Sequence, residues 1–169
     1  MDFFEAVQQR VSVREYRDAP IARQDMEKII DAARQAPTAR GEQPWEFIIV
    51  ENKQSLRRLA GITDHGRFLA GAAAAVVVIS KETKYYLEDC CAATENILLA
   101  ATALGIGSCW IAGDKKQYAG EILAHCGVGP GYKLVSIIAL GYPKEPAQAR
   151  EKRPLAGLMH RENFGKRSA

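Results

Sequence analysis

The sequence predicts an α+β fold, a central sheet flanked by helices in one domain spanning residues 1–169. Three observations predict it. Apolar residues recur at helical spacing over 22–36, where Met26, Ile29, Ile30 and Ala33 stand at i, i+3, i+4 and i+7. Runs rich in β-branched residues, "WEFIIVE", "AAVVVIS" and "KLVSIIALGYP", read as strands. The chain also lacks the strand, Gly-rich turn and helix that open a dinucleotide-binding fold: "GIGSCW" follows a helix and opens a strand.

In order, Asp2 is an acceptable N-cap for a short helix carrying Phe3 and Val7 one turn apart. An extended segment follows at 10–14. Pro37 stops the helix over 22–36, and "PTARGEQP" is a loop. After the strand at 45–51, Asn52 caps a helix turning Leu56, Leu59 and Ala60 inward. "AAVVVIS" is almost wholly apolar and is expected to be buried on both faces. The longest helix, 84–104, ends at Gly105, and its stretch "CCAATENILLAATALG" is small or apolar nearly all round. Such a helix needs cover on every side, which points to a subunit interface. "GSCWIAG" is a short strand, and Tyr118, Ile122, Leu123 and Cys126 form another helical face. The tail from Lys144 is polar and basic.

Composition bounds the function. Hydrophobic content of 47% and charged content of 25% are those of a globular protein with a core of its own. A net charge of +3 suits a small anionic ligand, but no dense basic run with interleaved aromatics argues for nucleic acid. The apolar stretches are too short or too interrupted for a membrane span, and the start "MDFFEAVQQR" is not that of a signal peptide. With four cysteines and no C-x-x-C, the expectation is a cytoplasmic protein with reduced thiols.

Catalytic sets are sparse. His65, His125 and His160 are scattered, without metal-ligand spacing, so no metal site is expected. No nucleophile elbow or phosphate-binding Gly-rich loop is present, which leaves the hard chemistry to a cofactor if this is an enzyme. Arg10, Ser12 and Arg14 project from one side of an extended segment while Val11 and Val13 face the core. Two guanidiniums and a hydroxyl suit a phosphate and its neighbouring polyol. On pattern alone a solvated basic face remains open, as does a solvated tail for Arg150, Lys152 and Arg153. Cys90 and Cys91 read as compact packing groups rather than redox centres.

Four stretches, "RVSVREY", "APTARGEQPWEFIIV", "ENILLAATALGIGSCWIAG" and "LGYPKEPAQAREKRPL", occur in the order and spacing of the nitroreductase family of FMN-dependent oxidoreductases, which this sequence resembles over nearly its whole length. The resemblance implies a mainly antiparallel sheet, a domain-exchanged homodimer and two FMN sites lined by both chains. It implies that NADH or NADPH reduces the flavin and that a small-molecule acceptor, such as a nitroaromatic or a quinone, takes the electrons by turns at flavin N5. By the family pattern, Arg10, Val11, Ser12 and Arg14 line the flavin from phosphate to pyrimidine edge. Arg150 and Lys152 complete the phosphate site, with Arg153 as an alternative where the register is loose. Pro37, Thr38 and Ala39, continued by Gly41 and Gln43, reach over the partner's flavin. Trp110, Ile111, Ala112 and Gly113 form the strand end beside the ring. Gly41 departs from the family, which usually has Asn there. Specialised flavin chemistry, a flavin-storage role and an anion-binding module stand as alternatives.

Overall fold

A capping box opens the chain: Asp2 Oδ1 accepts the Glu5 amide proton at 2.9 Å, and Glu5 Oε2 accepts that of Asp2 at 2.9 Å. In this computed structural model, which describes residues 1–146, 148–149 and 151–167, that box starts α1 (Phe3–Gln9). α2 (Arg23–Arg34) buries Met26, Ile29 and Ala33, the stripe its period predicts. β1 (Trp45–Val50) leads to α3 (Lys53–Ile62), where Asn52 Oδ1 accepts from the amides of Gln54 and Ser55 at 2.9 and 3.1 Å. β2 (Ala74–Lys81), α4 (Tyr86–Ala103), β3 (Gly107–Ala112), α5 (Ala119–His125) and β4 (Tyr132–Gly141) complete the order, each within a few residues of the expected bounds.

The four strands form one sheet in the order β1-β2-β4-β3, antiparallel throughout. Alternation divides the core. Val76, Val78, Ile138 and Leu140 face α2 and α4, with Ile29, Ala33, Cys90, Ala93 and Ile97. Val77, Ile79, Ile137 and Ala139 face α3 and α5, with Leu56, Leu59 and Ile122. Both faces of β2 and β4 are therefore covered, as the apolar run of β2 requires. Trp45 is buried in the α2–α4 layer, as an aromatic anchor at a strand start.

Two details prepare the site. Val78 lies opposite Ser136 but Ile79 lies opposite Leu134, so Val135 is an extra residue that bulges β4. Its carbonyl accepts from the amides of Gly113 at 3.0 Å and Asp114 at 3.2 Å, which fixes the end of β3. A Cβ on Gly113 would stand 2.5 Å from Leu134 Cγ, so only glycine fits there. Second, α4 is pinned to the sheet by a buried pair: Thr94 Oγ1 and Ser136 Oγ lie 2.8 Å apart.

Candidate functional site

The segment after α1 is extended because it is tied at intervals. The Arg10 amide closes α1 on the Ala6 carbonyl at 2.9 Å, and the Val13 amide donates to the Ser108 carbonyl at 2.9 Å. Farther on, the Arg17 amide donates to Tyr142 O at 2.8 Å and the Lys144 amide to Glu15 O at 3.0 Å. Val13 is buried over Gly107, where a Cβ would come within 2.8 Å of its methyl. Ser12 and Arg14, on either side, are exposed. Val11 differs from the expectation: it is half-buried and lines a groove rather than facing the core. The segment meets β3 only from Ser12 onward, so Val11 stays at the rim of the core.

That groove, about 670 Å³, brings Arg10, Val11, Ser12 and Arg14 together with Lys152 from the far end of the chain. Glu95 of α4 and Gln148 line it too. Among the described residues none of Arg10, Arg14 and Lys152 pairs with a carboxylate, so three cations face one concavity. Arg14 is held with its guanidinium carbon 5.7 Å from the centre of the Phe68 ring. Beneath the segment lies Cys109: burial pushes its thiol up, while Arg14, Ser12 and Arg10 pull the other way. Arg153 is exposed and is not among the groove residues, and Arg150 lies outside the described residues.

The remaining expected residues form two further segments. Ser108 turns its carbonyl out to Val13, so by alternation Trp110 and Ala112 turn their backbone to the same open edge of β3. The Ala112 carbonyl accepts from the Tyr118 hydroxyl. Ile111 is buried, and Gly113 ends the strand as described. Pro37, Thr38, Ala39, Gly41 and Gln43 lie on a separate loop, outside the groove of Arg10. Thr38 Oγ1 donates to Asp89 Oδ2 at 2.7 Å and accepts from the Gln43 amide at 2.9 Å.

Two family models match this chain, "Nitroreductase family" over residues 7–86 and "Putative TM nitroreductase" over residues 60–166. An Archaeoglobus fulgidus protein named "Putative NADH dehydrogenase/NAD(P)H nitroreductase" is 40% identical over 143 residues, 80% of this chain and 82% of that one. The chain belongs to the nitroreductase family. Its structural neighbours agree. An FMN-dependent nitroreductase from Clostridium difficile superposes with a TM-score of 0.90 at 31% identity, covering 95% of this chain and 99% of that one. A Desulfovibrio desulfuricans neighbour solved in complex with FMN gives 0.85 at 27% identity, covering 97% and 98%.

For this nitroreductase-family chain, reading the sequence missed Phe68, Glu95, Gln148 and Asp89. Phe68 follows a Gly-Arg pair in a short 3-10 turn, Arg67–Gly71, and carries no periodic signal. Asp89 reads as an ordinary acid in the first turn of a helix, and its partners are some fifty residues away.

Proposed function

We propose that this chain is an FMN-dependent oxidoreductase that uses NADH or NADPH to reduce nitroaromatic, quinone or similar acceptors by a ping-pong mechanism. The observation that carries the proposal is the convergence of Arg10, Ser12, Arg14 and Lys152 on one groove. The donor set fits FMN: unpaired cations for a phosphate dianion, a hydroxyl for the ribityl chain, and a groove within the volume range of cofactor sites. When bound, FMN supplies the two-electron transfer between nicotinamide and acceptor.

Arg10 and Lys152 hold the phosphate, and Ser12 meets the phosphate or ribityl end. Arg14, steadied by Phe68, would supply a fixed positive charge to the flavin and so favour its reduced form. The open edge of β3 at Trp110 and Ala112 would offer backbone donors to the flavin, the Gly113 amide being committed to the Val135 carbonyl. No proton need pass through a side chain, and one cleft serves donor and acceptor in turn, which yields ping-pong kinetics.

A homodimer with exchanged segments completes the proposal. Phe3, Phe4 and Val7 of α1 are exposed, and half-exposed Leu99 and Ala100 of α4 line a groove with Phe3. In the tail Leu155, Leu158, Met159 and Phe164 are exposed, Phe164 to 92%. Apolar surface of this extent asks for a partner. Loop 37–43, away from its own chain's groove, is then free to reach the partner's flavin. Among the described residues no helix is long and apolar enough to cross a membrane, and all four cysteines are free, which fits the reducing cytoplasm.

The test is an absorbance spectrum of the purified protein, before and after anaerobic NADH or NADPH. Flavin bands that bleach support the proposal. Bands that persist point instead to flavin storage, and a colourless protein that takes up no added FMN overturns both.

A further inference from the structure

A carboxylate withdrawn from water is costly unless its oxygens are paired. Asp89, 5% exposed in the first turn of α4, is fully paired, and its partners come from one place. Its Oδ2 accepts from the Thr38 hydroxyl at 2.7 Å, and both oxygens accept from the Ala39 amide, at 3.1 and 3.2 Å. Thr38 Oγ1 in turn accepts from the Gln43 amide at 2.9 Å. One buried carboxylate thus governs both ends of loop 37–43.

The loop needs such a hold. Arg40, Gly41 and Gln43 have positive φ of 58°, 70° and 46°, interrupted by right-handed Glu42, and the side chains of Arg40 and Gln43 disfavour that conformation. Gly41 also stands where the family pattern has an Asn, so an amide that could fix the loop from within is missing. The same turn of α4 reaches the end of β3: the Tyr86 hydroxyl donates to Asp114 Oδ1 at 2.7 Å, next to Gly113. α4 therefore anchors both flavin-facing segments that lie outside the basic groove.

We propose that Asp89 is a positioning residue: it touches neither flavin nor substrate but sets the loop 37–43 whose Pro37, Thr38 and Ala39 do. The inference rests on the nitroreductase reading of the site. Asp89→Ala removes the anchor, and Asp89→Asn keeps its shape and one acceptor oxygen. In the FMN-free full chain, amide hydrogen exchange over 37–43 is expected to quicken at least tenfold in Asp89→Ala, with exchange in β2 and β4 unchanged. Asp89→Asn is expected between that and wild type. In the FMN-loaded protein the Kd for FMN should rise by no more than about tenfold, since the loosened loop still covers the flavin and the phosphate grip is elsewhere. The visible circular dichroism of the flavin should change, and KM for the acceptor should rise at least tenfold, with partial recovery in Asp89→Asn.

Unchanged exchange over 37–43 overturns the proposal, as do a wild-type flavin spectrum and KM in a variant whose loop is loosened. If Asp89→Ala loses protection throughout the sheet, Thr38→Val decides, because it cuts the two hydroxyl links, to Asp89 and from Gln43, and leaves the Ala39 amide on the carboxylate. The same local quickening is then expected, and its absence refutes the role. A wild-type chain that binds no FMN sinks the functional reading, while the flavin-free exchange measurement still decides whether Asp89 fixes the loop.

Discussion

Arg10 leaves α1 at its last backbone bond and enters the groove without an ion pair among the described residues, although Glu95 lines the same groove, so its charge is available to an anion. A charge-assisted hydrogen bond to a phosphate is worth about 1.5–3 kcal/mol. Arg10→Ala should therefore raise the Kd for FMN by roughly 10- to 150-fold at low salt, measured by fluorescence titration. Arg10→Lys keeps the charge without the planar fork and should fall between. Wild-type affinity in Arg10→Ala would remove this residue from the phosphate site. The cysteines differ from Arg10 in being withdrawn from solvent. Burial pushes the Cys90 thiol up to about 11, aided by Asp89 and Cys91, and raises that of Cys91 as well. At pH 8 only about one Cys90 in a thousand is a thiolate. Cys90 should resist a thiol reagent in the native protein and react once it is unfolded. Rapid native labelling would reopen the redox reading of this pair.

Among the elements, α4 does the most and disclosed the least. It packs on the sheet, anchors loop 37–43 and the turn after β3, and presents its outer side to solvent. Its attachment depends on Thr94, which donates to Cys90 O or shares its proton with Ser136 in a fully buried pair. Thr94→Val strands Ser136 Oγ without a partner at a cost of about 1–3 kcal/mol. A fall in Tm of roughly 2–12 °C should follow in a thermal scan, at some 2–4 °C per kcal/mol for a chain this long. No change would mean that the pair holds nothing. The sequence let α2 be read from Met26, Ile29 and Ala33 because one face of it is polar, and β2 because its apolar run is short and β-branched. It could not orient α4, whose small and apolar residues face every way. The bulge at Val135 was also hidden, since "KLVSIIAL" runs on without a break. At the site, alternation revealed Arg10, Ser12 and Arg14. Lys152 came only from the family resemblance, because the fold that joins residues 12 and 152 is set by contacts no local pattern records.

At the scale of the molecule, the proposed dimer rests on large apolar side chains left exposed on α1 and the tail. α1 exposes two phenylalanines, packed edge to face at 5.5 Å, and the apolar groove beside them is lined by Ala32, Leu99 and Ala103. The tail adds exposed Leu155, Leu158 and Met159, in a turn closed on itself by the Met159 amide on the Leu155 carbonyl. Such a segment gains stability by packing on a second copy. Sedimentation should therefore give a particle of twice 18.6 kDa. Phe4→Glu places a charge in that surface without touching Arg10, Ser12 or Lys152, and it should shift the equilibrium to monomer. If loop 37–43 of each chain lies over the flavin of the other, the shift also strips the site of half its walls. FMN should then be lost in step with dissociation as the protein is diluted, its release followed by the rise in free-flavin fluorescence. A monomeric Phe4→Glu chain that kept its flavin would show that one protomer holds the whole site, and the exchange of segments would have no part in binding.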